Sequence, residues 1–440
     1  MRPRAAPAAR HALPTPRWWG VAQTATTVVT LWVAGTVVSW LRLAPLVRDT
    51  VWAEDGREFL GRQAAAGLWD SLFVPYTGYL QVLPRVVTAL AAQLDLSLYA
   101  VVVSALCCLV VGGVTAAVYV FSGSVVRAQW ARALLASITV FAPMAPTEVL
   151  GNSANLHWYL LWLAPWLLLY RPASWAAAAV AAGIGLVAGL TEIQMIVFLP
   201  LVLVAWREPK AMLVRAGVLV GVAAQVVSTL LAPREIPPTL PNTVLDEIVG
   251  YAALPILGSA HTDAGALGAW IATAGTPVVA TLAVLLVALA ALPIVLGRGE
   301  TRILAAALLA GSFILWATAG IVNPSQRFAV FTADDWPALQ PTRYAVVPSM
   351  LVLAGLVLAA ATLAARRRGT PGAVMLTALV IVALTANLNV AYSERQAGPS
   401  WAGAVADARQ VCATDAPGTV TVITAPWTWS VVLDCDELSR

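Results

Sequence analysis

The stretch Arg48-Asp49-Thr50-Val51-Trp52-Ala53-Glu54-Asp55-Gly56-Arg57-Glu58-Phe59 gathers acids and aromatics just after the first long apolar run of the chain. Asp49 and Glu58 read as members of a solvated loop. For Glu54 and Asp55 the neighbours Trp52, Gly56 and Phe59 suit a tight turn that opens an amphipathic helix and holds a carboxylate against the membrane face. A carboxylate in that place is able to take a proton from a hydroxyl as a general base, Asp55 being the first candidate and Glu54 the second. The next polar stretch, Pro75-Tyr76-Thr77-Gly78-Tyr79-Leu80-Gln81-Val82-Leu83-Pro84-Arg85, fits either an interfacial aromatic belt or a headgroup pocket lined by Tyr79 and Arg85.

A third cluster reads Glu148-Val149-Leu150-Gly151-Asn152-Ser153-Ala154-Asn155-Leu156-His157-Trp158-Tyr159. Asn152 and Asn155 are three apart, and Asn155 and Tyr159 four apart, so on a helix they share a face. Asparagine beside aromatics suits the hydroxyls and apolar faces of a pyranose, with His157 in the same set. Helix capping and interhelical hydrogen bonding account for these residues without a ligand. Glu192, at the end of another apolar run, is an acid that is expensive in lipid and functional by default. The last cluster holds Arg327, then Asp334-Asp335-Trp336, then Gln340-Pro341-Thr342-Arg343-Tyr344. Arg343 heads an apolar run. It either snorkels to the interface or meets a lipid phosphate bidentately, which lysine does less well.

The elements that position these clusters follow from composition. Of 440 residues 60% are hydrophobic and only 11% charged, where a soluble domain carries roughly 25% charged residues. The mean hydropathy is +0.80. A soluble globular protein, a disordered chain and a nucleic-acid-binding module are excluded, and the solvent of this chain is lipid. Long apolar stretches fall at about residues 18–44, 97–121, 133–147, 154–170, 174–190, 193–206, 213–231, 269–296, 303–321, 346–364 and 372–392. The expected fold is therefore an all-α polytopic membrane protein with about eleven transmembrane helices. Pro143, Pro146 and Pro165 mark breaks among the shorter stretches. Residues 79–94, short and carrying Pro84 and Arg85, read as an interfacial helix.

The net charge of +4 has to be read loop by loop. With the basic start (Arg2, Arg4, Arg10, Arg17) inside, the inner loops hold Arg127, Arg132, Arg171, Arg207, Lys210, Arg215, Arg298, Arg302 and the run Arg366-Arg367-Arg368. That is the bias of the positive-inside rule. Glu208 and Glu300 are then the only acids inside. Residues 1–17 form a cytoplasmic segment, 18–392 the transmembrane domain with outer loops 45–96, 232–268 and 322–345, and 393–440 an outer tail. The first stretch is not a cleavable signal peptide: it is long, rich in tryptophan and lacks a small-residue cleavage site.

The tail is acidic, with residues 419–424 and 430–433 reading as short strands and 400–411 as a helix. It is too small for a robust core of its own and is expected to pack on the membrane domain. Cys412 and Cys435 flank the strands, 23 residues apart in an oxidising place, and are expected to form a disulfide. Cys107 and Cys108 sit mid-span as small hydrophobes. Three histidines and no zinc-ligand spacing argue against a metal centre, no cofactor is required by the sequence, dependence on a divalent metal is left open, and no internal repeat is visible.

These pieces together resemble the GT-C superfamily of membrane glycosyltransferases that use polyprenyl-phosphate sugars. Asp55-Gly56-Arg57-Glu58-Phe59 is similar to the Asp-Glu-x-x-Tyr pattern of protein mannosyltransferases and aminoarabinose transferases, with glycine for glutamate and phenylalanine for tyrosine. The Tyr79 to Pro84-Arg85 stretch resembles their proline-containing segment, and Arg343-Tyr344 the Arg-Tyr that often opens a late span. The outer tail resembles those of actinobacterial members and of serotype-converting glucosyltransferases. As architecture the resemblance covers most of residues 18–392. It implies a polyprenyl-phosphate-sugar donor, a glycan, lipid or protein acceptor outside the plasma membrane, and inverting transfer in cell-envelope biogenesis. It further implies Asp55 or Glu54 as base, Arg343, Arg327 and Arg85 on the donor phosphate, and Tyr79, Asn152, Asn155, His157 and Glu192 about the sugar and acceptor.

Three rival classes bear comparison. A transporter or flippase wants charged or discontinuous helices at mid-membrane, whereas these acids cluster at outer ends. A membrane O-acyltransferase wants a buried histidine, for which His157 is the only candidate near a helix end. A structural polytopic protein makes no demand on these residues.

Overall fold

The computed structural model describes residues 17–439 apart from 205, 235–241, 262, 325, 340–341, 387, 389, 391 and 416–417, with the backbone alone for 17–24 and 415. Arg2, Arg4, Arg10, Gln340, Pro341 and Arg440 thus lie outside the described residues. Among the described residues, thirteen α-helices of ten or more residues carry the architecture: α1 (Arg17–Leu41), α2 (Val82–Ala91), α3 (Tyr99–Ser122), α4 (Gln129–Phe141), α5 (Leu156–Leu169), α6 (Trp175–Gly189), α7 (Pro209–Leu231), α8 (Ala264–Ala274), α9 (Thr276–Ala290), α10 (Glu300–Val322), α11 (Arg343–Ala364), α12 (Thr370–Ala386) and α13 (Trp401–Asp415). Strands β1 (Thr419–Ile423) and β2 (Ser430–Asp434) pair antiparallel, Val422 opposite Val431.

Among the described residues, five helical segments are long and apolar enough to cross a membrane: Leu96–Ser122, Pro209–Leu231, Thr276–Leu296, Glu300–Val322 and Arg343–Ala364. Shorter apolar helices accompany them. The protein is an all-α, multi-spanning membrane protein with one small β element near its C-terminus.

The stretch at 133–147 leaves the α-helix after Phe141, short of Pro143, and two others also depart from one regular α-helix. Residues Ile193–Leu203, around Pro200, wind as a 3-10 helix. With its rise of about 2.0 Å per residue that winding stretches a short segment further across a bilayer than an α-helix would. The stretch at 269–296 is broken at Gly275, whose φ of +81° lies in the left-handed region open to glycine, so α8 and α9 are separate helices.

Without a hydrophobic drive between helices in lipid, close approach depends on small residues. Gly185 and Gly189 on α6 face Gly217 and Gly221 on α7, four apart on each helix. A Cβ on Gly189 would come within 2.9 Å of the Gly221 Cα, and one on Gly217 within 2.1 Å of the Ala182 carbonyl oxygen. Helices α1 and α3 meet at Gly112, where a Cβ would lie 2.4 Å from the Trp32 carbonyl oxygen. The centre of the bundle is α11, 83% of whose apolar window is buried, against 22% for Thr276–Leu296 at the periphery.

Arg171, just past the C-terminal end of α5, bonds both Glu208, at 3.1 Å, and Glu300. These two acids precede or open α7 and α10, so three helix ends share one side of the bundle. The only acids that the charge ledger assigns to the basic side are therefore neutralised by one arginine of that side.

The C-terminal segment docks on the chain that follows α1. Asp49 caps α13 from outside: its carbonyl accepts from Trp401 N at 2.7 Å and its carboxylate accepts from Ser400 Oγ. Ala425 N donates to Val51 O at 2.8 Å. Val422, Val431 and Leu433 turn their side chains inward. Asp49 and Glu58, read from sequence as loop acids, are both engaged. Glu58 is nearly buried between Arg57 and Arg62 at 3.0 and 3.1 Å. Gly56 has a steric reason here, since a Cβ would meet Thr424 Cγ2 at 2.8 Å. Glycine at that position lets the tail lie against the loop.

Cys412 and Cys435 are joined in a disulfide, with Cα atoms 5.6 Å apart. Closing a loop of this size contributes about 2–4 kcal/mol. Cys412→Ser should lower the melting temperature in detergent. Thiol labelling of the unfolded wild type should find only Cys107 and Cys108 until a reductant is added. Labelling of all four without reductant would show that the bond does not form.

Candidate active site

A cavity of about 490 Å³ opens where the ends of several helices converge, within the size range of small-molecule sites. It is reached by the C-terminal ends of α7 and α10, the N-terminal ends of α5 and α11, and the turn after α6. Arg343 begins α11, whereas Arg366-Arg367-Arg368 follow its other end about 33 Å away at 1.5 Å rise per residue. The cavity and that basic cluster thus lie on opposite sides of the bundle.

Aromatic side chains build much of the wall, among them Trp52, Tyr76, Tyr79, Trp158 and Tyr344. The ring of Tyr79 stands edge-on to His157, with centroids 6.3 Å apart. Three acids, Glu54, Glu148 and Glu192, line the same cavity. Two of them are committed. Glu148 forms an ion pair with Arg343, whose Nη2 also donates to the Tyr344 hydroxyl at 3.2 Å. Glu192 meets His157 Nδ1 through Oε2 and accepts from Gln194 N at 2.6 Å through Oε1.

Glu54 differs. Its Oε2 is buried among protein atoms with no hydrogen-bond partner. Burial is the largest influence on its carboxyl and raises its pKa above the ordinary glutamate value, against the pull of Arg343. An acid half-buried at the wall of an aromatic cavity and free of an ion pair among the described residues is suited to accept a proton from a bound hydroxyl.

Asp55, the first candidate from sequence, does not reach this cavity. Its carboxylate accepts from Ser153 N at 2.8 Å, Ser153 Oγ at 2.7 Å and Ala154 N at 2.8 Å, and only 1% of the residue is exposed. Burial still raises its pKa, the bonds from Ser153 and Ala154 opposing it. The geometry makes it an anchor between two loops rather than a group facing a substrate. The local winding explains the split: Asp55–Leu60 forms a π-helical turn, and adjacent residues of a helix point in widely different directions.

Three further candidates fall elsewhere. Asn152 is fully buried, donating to the Glu148 carbonyl and accepting from Asn155 N at 3.0 Å, so it ties the loop together instead of lining the cavity. Arg85 is buried beneath the Phe59 ring at 5.2 Å and donates to Val74 O at 2.9 Å. Arg327 is exposed beside Asp246, at 3.9 Å. Neither arginine lines the cavity. Of the sequence-derived set, Glu54, Tyr79, Asn155, His157, Glu192 and Arg343 are brought together there. The Asn155 amide is already spent on Asn152 Oδ1 and Trp158 Nε1.

Sequence reasoning missed Arg234, Asn323 and Gln194, which also line the cavity. Each lies beside a long apolar run, with no spacing to connect it to the others. Glu148 carries a visible signal, an acid beside an apolar stretch, but its place opposite Arg343 does not follow from spacing.

The same loop is held by Arg395, buried between segments. It donates to the carbonyls of Thr50, at 2.7 Å, and Gly151, and to Ser104 Oγ at 2.9 Å. No group of three or more histidine, cysteine or acidic side chains suited to a metal ion occurs among the described residues.

Comparison with protein-family models, with curated proteins and with solved structures finds no match for this chain.

Proposed function

We propose that the protein is a plasma-membrane glycosyltransferase of GT-C-like architecture, with about eleven spans, its N-terminus inside and its tail outside. It moves a sugar from a polyprenyl-phosphate donor to an acceptor hydroxyl with inversion. The observation that carries this reading is Glu54, a half-buried acid that lines an aromatic cavity at the helix ends and, among the described residues, forms no ion pair. The acceptor oxygen attacks the anomeric carbon, its proton passes to Glu54, and the anomeric C–O bond breaks to release polyprenyl phosphate. Tyr79, His157 and Glu192 contact sugar and acceptor, and Arg343 with its partner Glu148 sets the charge beside the base. Exclusion of water from the cavity strengthens these electrostatic terms.

The test is transfer of radiolabelled sugar from polyprenyl-phosphate donors to envelope acceptors in membranes holding the protein. Failure to transfer from any donor, together with flux of a lipid-linked sugar in proteoliposomes, would instead favour the transporter or flippase alternative. A transporter, however, wants its buried acids at mid-span, and Glu54, Glu148 and Glu192 stand at helix ends.

The topology carries its own prediction. Cysteines placed at the exposed Arg367 and Ala402 should label from opposite sides of the membrane, Ala402→Cys from outside. Labelling of both from one side would remove the N-inside, C-outside arrangement.

A further inference from the structure

The cavity contains two arginines in different electrostatic states. Arg343 is already matched by the Glu148 carboxylate, so a phosphate arriving there has to compete with an ion pair. Arg234 lines the same cavity and, among the described residues, bonds only the neutral side-chain amide of Asn323 through Oδ1. A guanidinium with a neutral partner keeps its full charge available to an anion, and its planar fork suits phosphate oxygens.

The placement of Arg234 is built by the fold. Gln225 and Thr229 are four apart on α7 and so share its face. Gln225 pairs with the backbone of Leu80 in both directions, at 2.8 and 3.0 Å, and Thr229 Oγ1 donates to Gly78 O at 2.7 Å. This fixes the end of α7 against the Tyr76–Leu80 turn. Gly78, at φ +87°, lies so close that a Cβ would come 2.9 Å from Arg234 N. The Tyr76 hydroxyl lies within the electrostatic reach of both Glu54 and Arg234: burial pushes it up to about 12, with Glu54 adding to the rise and Arg234 opposing it.

We propose that Arg234 is the phosphate-binding residue of the cavity, receiving the phosphate of the lipid-linked donor. This rests on the glycosyltransferase reading and sharpens it, because the phosphate then sits at the ends of α7 and α10, beside Asn323. Arg343 is left to Glu148.

The experiment compares undecaprenyl phosphate with undecaprenol, which lacks the phosphate, by native mass spectrometry of the full chain in phosphatidylcholine nanodiscs. The wild type should prefer the phosphate. Arg234→Gln should erase about 10- to 100-fold of that preference, the range of a lost charge-assisted fork. Asn323→Asp keeps the arginine and its packing but supplies a carboxylate, and should erase the preference to a similar degree. The double variant Arg343→Gln/Glu148→Gln removes the ion pair without changing the net charge of the cavity and should alter the preference by less than about threefold.

Preference retained in both Arg234→Gln and Asn323→Asp but lost in the Arg343→Gln/Glu148→Gln double variant overturns the assignment while sparing the glycosyltransferase reading. No preference in the wild type overturns both. Repeating the comparison in discs with phosphatidylglycerol separates the sources: if that lipid displaces undecaprenyl phosphate from Arg234, the corner is a phospholipid headgroup site and the donor assignment fails. Monodisperse elution of each variant checks that it is folded.

Discussion

Glu54→Gln is expected to reduce glycosyl transfer by about 10²- to 10⁴-fold, the usual contribution of a positioned general base. Glutamine keeps the shape and most of the packing, so binding of the donor should change little, and the loss should appear in turnover. The pH profile supplies a second signature. Burial raises the Glu54 pKa above the ordinary carboxylate value, with Arg343 opposing and Asp55 and Glu148 reinforcing the rise. A base works when deprotonated, so activity should fall as pH drops through that raised pKa, at a higher pH than an ordinary glutamate would give. In Glu54→Gln the residual rate should lose this acidic limb. A Glu54→Gln protein with near-normal turnover would remove Glu54 from the chemistry.

Asp55→Asn should produce the opposite pattern: a loss of stability that is larger than any selective effect on the chemical step. The carboxylate accepts three hydrogen bonds from Ser153 and Ala154. An asparagine presents an amide N–H to at least one of those donors. Loss of a charge-assisted bond and a buried N–H facing another donor together cost roughly 2–4 kcal/mol. Heating in detergent, followed by size-exclusion fluorescence, should show Asp55→Asn aggregating several degrees below the wild type, with Glu54→Gln close to it. If Asp55→Asn is as stable as the wild type yet inactive, Asp55 is the base and its hydrogen-bonded state is not the working one.

The two neighbours show where sequence stops. Both are acids in one turn, and the resemblance to the Asp-Glu-x-x-Tyr pattern points at Asp55. Which of two successive carboxylates faces a cavity depends on the phase of the turn, and that phase depends on what packs behind it. Here the loop Gly151–Ala154 and the tail at Thr424 fill the space around Asp55 and Gly56, leaving Glu54 to face the cavity. Asn152 and Asn155 divide in the same way, one inside the loop and one at the cavity wall.

What the sequence determined by itself are the properties that arise from local composition. A chain poor in charge and rich in apolar runs has to be helical in lipid, because only helices or closed barrels satisfy every backbone group there. The acidic tail with its alternating strands and paired cysteines was legible for the same local reason. Tertiary structure alone decided which polar groups share a cavity and which of them pair. Glu148 meets Arg343 across 195 residues and His157 meets Glu192 across 35. Arg234 owes its position to the docking of Gln225 and Thr229 on a distant turn. Such pairings depend on which helix ends converge, and that is set by glycine contacts and the central burial of α11, interactions among segments far apart in the chain.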